Sequence, residues 1–125
     1  MKTYKKAETQ VRPGFLGWLE ADGGFSVLVA DKVCGVQSGV LPGTTEVVVT
    51  IHASGSNGIL VGGGLAMNQA NVLIDMIEKV LSAKTTAESK TKTLNLNHLL
   101  KRVLDNVPAE SQLVSDIQVP KLVTN

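Results

Sequence analysis

Short apolar runs separated by turn residues fill the chain from Phe15 onward, and the period changes near residue 65. Two apolar runs, Phe15 to Glu20 and Phe25 to Ala30, flank Ala21-Asp22-Gly23-Gly24. Asp-Gly in that setting predicts a hairpin, because a tight turn wants positive φ at its centre. A third run, Val33 to Val40, stops at Leu41-Pro42-Gly43. A fourth, Glu46 to Ala53, meets a fifth, Gly58 to Val61, across Ser54-Gly55-Ser56-Asn57. The Asn57-Gly58 step and Gly55 predict a second hairpin there.

From Leu65 the apolar residues fall at 66, 70, 73, 77, 80 and 81, with Asn68, Asn71, Asp75, Glu78 and Ser82 on the opposite stripe. That spacing predicts an amphipathic helix over 65–83. Residues 82–93 hold only alanine among apolar types and read as a flexible connector or a frayed continuation of the helix. A second helix is predicted through Leu96, Leu99, Leu100, Val103, Leu104 and Val107, capped by Thr93 or Asn95 and ended by Pro108. Alternation over 112–119 predicts a last strand before Pro120.

Strands, two helices and a strand predict an α+β fold: one sheet of five or six mostly antiparallel strands with both helices packed on one face. Several of those strands are apolar on both faces. Phe25, Val27 and Val29 alternate with Leu28 and Ala30, and Leu16 and Trp18 oppose Phe15 and Leu19. Such strands need cover on both sides, and two helices cover only one. Either the sheet curls on itself or a second subunit covers the other face; the second is the expected remedy, giving a homo-oligomer with an apolar sheet-mediated interface.

With 125 residues the chain is expected to form a single domain over 13–125, preceded by a basic flexible arm over 1–12. Its aromatic residues are Tyr4, Phe15, Trp18 and Phe25 alone, so Val, Leu, Ile, Ala and Met must build most of the core. So few rings make a poor stacking platform for single-stranded nucleic acid. One cysteine, Cys34, excludes an intrachain disulfide and a cysteine-rich zinc site. No apolar leader follows Met1 and no run approaches a membrane span, so a cytoplasmic or intraparticle location is expected, with no membrane partner.

Charge is uneven. Lys2, Lys5, Lys6 and Arg12 make the first 12 residues basic, acidic residues dominate 13–78, and 79–102 is basic again. Lys84, Lys90, Lys92, Lys101 and Arg102 are therefore the candidate contacts for a polyanion such as RNA or DNA. A solvated surface explains them as well, since there is no aromatic interleaving.

The other candidate chemistry is Gly62-Gly63-Gly64, read as a glycine-rich junction between a strand and the first helix. Free N–H groups at such a junction can hold an anion. His52, Ser54 and Asn57 are the side chains expected near it, and a nucleotide or phosphate the expected ligand. Neither a G-x-G-x-x-G fingerprint nor a Gly-Lys-Ser/Thr step is present. The simpler reading is that glycines let the strand turn sharply and the helix pack close to the sheet. His52 and His98 stand 46 residues apart without acidic or cysteine partners at ligand spacing, so no metal site, cofactor or catalytic set is predicted. The function expected is a non-enzymatic, self-assembling structural or interaction protein, such as a subunit of a particle, a ring or a phage virion. Binding of a small anionic ligand, with or without catalysis, and polyanion binding are the alternatives.

Overall fold

A computed structural model describes residues 11–20, 22–40, 46–55, 58–110 and 120–122. The elements in order are β1 (Phe15–Leu19), β2 (Phe25–Val29), a 3-10 turn (Ala30–Lys32), β3 (Val33–Val40), β4 (Val47–Ala53) and β5 (Ile59–Leu65). After them come α1 (Met67–Leu81), a second 3-10 turn (Ser89–Thr91), β6 (Thr93–Asn95), α2 (Leu96–Asn106) and β7 (Lys121–Leu122).

The strands form two sheets, not the single five- or six-stranded sheet expected. One has the order β2-β1-β6 and the other β3-β4-β5-β7. The division falls at Ala30–Lys32, where the 3-10 turn redirects the chain. Past it β3 pairs with β4, and among the described residues β2 keeps only β1 as a neighbour. The pairing is antiparallel except for β1 with β6, which is parallel. The molecule is still a mixture of α and β. The strand expected over 112–119 lies outside the described residues.

Both hairpins form where turn chemistry placed them. At the first, Gly23 takes φ of 94°, Glu20 N–H donates to Gly24 O, and the Asp22 carboxylate accepts from Gly24 N–H. At the second, Gly55 takes φ of 74°. α1 begins two residues later than its periodicity suggested, because β5 continues through the glycines to Leu65. In α2 the Asn95 side chain accepts from His98 N–H, as an N-cap should.

The core lies between the two sheets and the helices. Leu16 and Trp18 come from the smaller sheet, and Val49, Ile51, Ile59 and Val61 from the larger. α1 contributes Ala70, Leu73 and Ile77; α2 contributes Leu96, Leu99, Leu100 and Val103. α1 lies on β3 and β4, whereas α2 touches β1 as well as β5 and so joins the sheets.

The polar stretch after α1 is folded by its own hydroxyls. Thr86 and Ser89 hydrogen-bond reciprocally, each side-chain oxygen accepting from the other's backbone N–H. Ser89 is buried there. Gly14 packs so closely against this turn that a Cβ would collide with Lys90 O. Arg12, at the end of the segment read as an arm, donates to Leu81 O and Ala30 O and pairs with Asp31.

Candidate functional site

The pleat of the smaller sheet divides β1 and β2 into an inward and an outward set. Register places Trp18 opposite Ser26 and Leu16 opposite Leu28 on the core side. The Glu20 carboxylate accepts from the Trp18 indole N–H at 2.7 Å and from the Ser26 hydroxyl at 3.1 Å, satisfying the polar groups at that margin. The outward set is Phe15, Gly17 and Leu19 against Val29, Val27 and Phe25.

This outward surface is apolar and open. Leu19 is 50% exposed, Phe25 55%, Val27 52% and Val29 41%. The Phe25 ring lies across Gly17, where an added Cβ would meet its Cζ at 2.6 Å and Thr93 Cγ2 at 2.8 Å. Gly17 thus lets the ring lie flat on the sheet. Isolated exposed aliphatics are ordinary, but contiguous ones on one face mark an interaction surface. The two-faced character of these strands was legible from sequence; the part played by Gly17 was not.

The glycine run occupies a different setting from the one expected. Gly62 and Gly63 stand in the β4–β5 ladder opposite Val49 and Val48, and all three glycines are buried. Gly64, with φ of 72°, is the extra residue where the register passes from Val47–Leu65 to Val48–Gly63. Gly62 makes room for α2, since a Cβ there would come within 2.8 Å of Leu100 Cδ1. The start of α1 is closed by Gln69. Its side-chain oxygen accepts from Ala66 N–H at 3.1 Å, and its amide donates to Val107 O at 2.9 Å.

His52 is exposed on the face of β4 that looks away from the core. It lies three residues along β4 from Val49, the partner of Gly62, a separation of about 10 Å at strand rise. Ser54 is exposed in the turn, and Asn57 lies outside the described residues. The structure therefore does not gather His52 and Ser54 around the glycines.

Lys84, Lys90, Lys92, Lys101 and Arg102 are all exposed, and three of them border separate hollows. Lys92 borders a hollow over the Thr86–Ser89 turn, and Lys90 borders another beside Arg12 and Asp31. Arg102 faces a third hollow, of about 450 Å³, between α1 and α2, with the Lys79–Asp75 pair on its rim. Among the described residues no group of three or more His, Cys, Asp or Glu side chains is placed to hold a metal ion. No helix among them is long and apolar enough to cross a membrane.

Comparison with protein-family models, with curated proteins and with solved structures gives no match to this chain.

Proposed function

We propose that this chain is a non-enzymatic structural subunit that assembles with copies of itself through the outward face of the β2-β1-β6 sheet. One observation carries the reading: Leu19, Phe25, Val27 and Val29 present half-exposed apolar side chains on a single sheet face. Completing the burial of a large aliphatic or aromatic side chain from half exposure is worth about 1 kcal/mol, so the four together supply a gross gain of about 4 kcal/mol per copy. Among the described residues no comparable convergence of side chains supports the anion-binding or polyanion-binding readings.

Native mass spectrometry of the purified chain at micromolar concentration is the test. A defined oligomer is expected, and Phe25→Asp should move it toward monomer while leaving far-UV circular dichroism unchanged. A wild-type chain that stays monomeric as concentration is raised would overturn the proposal.

A further inference from the structure

The outward face explains which side chains meet a partner; the backbone of β2 supplies a geometry for the meeting. In an antiparallel ladder, opposed residues alternate between pairs that exchange hydrogen bonds and pairs that do not. Glu20 N–H donates to Gly24 O at one end of the hairpin, and Ala30 N–H donates to Gly14 O at the other. With the register between them, these two bonds set the phase: Trp18–Ser26 and Leu16–Leu28 are the exchanging pairs. Phe25, Val27 and Val29 therefore direct their N–H and C=O groups away from β1, toward the open side of the sheet. Among the described residues β2 has no second neighbour. The Val29 carbonyl closes the 3-10 turn at Ala30–Lys32, while the N–H groups of all three residues and the carbonyls of Phe25 and Val27 take no backbone partner there.

The other edges are less suited to pairing. β6 and β7 are three and two residues long. β3 breaks register between Val33 and Gly35 and carries Gln37, Ser38 and two glycines. β2, Phe-Ser-Val-Leu-Val, has no charge, proline or bulge to discourage a partner strand.

Resting on the assembly reading above, we infer that the occupant of this edge is β2 of a second copy, paired antiparallel about a two-fold axis at Val27. An antiparallel edge is complementary to itself. Val27 would exchange both backbone bonds with the second copy's Val27, and each Val29 N–H would donate to the carbonyl of Phe25 in the other copy, the Val29 carbonyl staying with its own 3-10 turn. Phe25 against Val29 is an aromatic–β-branched pair, a favourable one across strands. The two small sheets become one six-stranded sheet, and their apolar outward faces merge into the surface available for further assembly.

Proline at Val27 separates the edge from the face, because it deletes an N–H that the hairpin does not use and keeps the side chain apolar. Native mass spectrometry of Val27→Pro should show the two-fold dimer weakened at least tenfold in dissociation constant, with circular dichroism retained. In a second arm, Val27→Cys in a Cys34→Ser background should oxidise to a covalent dimer, since exchanging residues across such a pair stand about 5.5 Å apart at Cα. An oligomer that persists in Val27→Pro, together with no disulfide-linked dimer from Val27→Cys, overturns edge pairing while leaving assembly through the face intact. A wild-type monomer overturns both.

Discussion

At the scale of single residues, Arg12 does more than its place in a polar stretch suggests. Its guanidinium reaches Leu81 O, one of the carbonyls left without a partner at the end of α1, and also Ala30 O in the turn between the sheets. Asp31 pairs with the same group. One side chain thus ties a helix terminus to the point where the chain changes sheets. Hydrogen bonds from a charged donor are worth about 1.5–3 kcal/mol, and the exposed Asp31 pair adds little. Arg12→Ala should accordingly lower stability by about 2 kcal/mol in urea titration. Arg12→Lys should keep only part of that stability, because a point charge cannot fork between two carbonyls. In sequence Arg12 is one more cation near the N-terminus, and nothing local marks its carbonyl partners 18 and 69 residues away.

At the scale of elements, local signals were readable and pairings were not. The two helices follow from their apolar period, and both hairpins from Asp-Gly and Asn-Gly steps. The third strand of the smaller sheet is only Thr93–Asn95, too short for alternation to show, and its partner β1 lies far away in sequence. The turn at 86–89 was equally opaque, since its order comes from reciprocal hydroxyl bonds and not from an apolar period. The setting of the glycine run was hidden for a related reason. Glycine is compatible with an anion cradle, a bulge and a close helix contact, and only the position of Leu100 and the register of β4 decide among them. The hydrogen-bond phase of β2 carries its own prediction. Leu28→Pro removes a donor that β1 uses and should cost at least about 3 kcal/mol in urea titration. Val27→Pro, one residue away, should cost far less. Equal losses for the two variants would show that the phase is wrong.

At the scale of the whole molecule, α2 is the element that makes two sheets into one body, because it packs on β1 and β5 together. That leaves the smaller sheet with one face in the core and one face apolar and open. Contacts made by such a face draw on the hydrophobic effect, which weakens on cooling and strengthens in sulfate. Analytical ultracentrifugation at 4 °C should therefore show smaller species than at 25 °C, and ammonium sulfate should reverse the shift. An assembly held by the scattered lysines would respond in the opposite way to salt, loosening as ionic strength rises.

The chain's single tryptophan, Trp18, sits on the buried side of the sheet whose other side is open. Its indole N–H is held by Glu20, whose second donor is Ser26 of β2. The fold has in effect placed an optical label between the hairpin and the body of the protein. Tryptophan emission follows the seating of the hairpin on the core, while far-UV circular dichroism is dominated by α1 and α2. The two signals together distinguish a molecule that melts as one unit from one whose hairpin lifts away first.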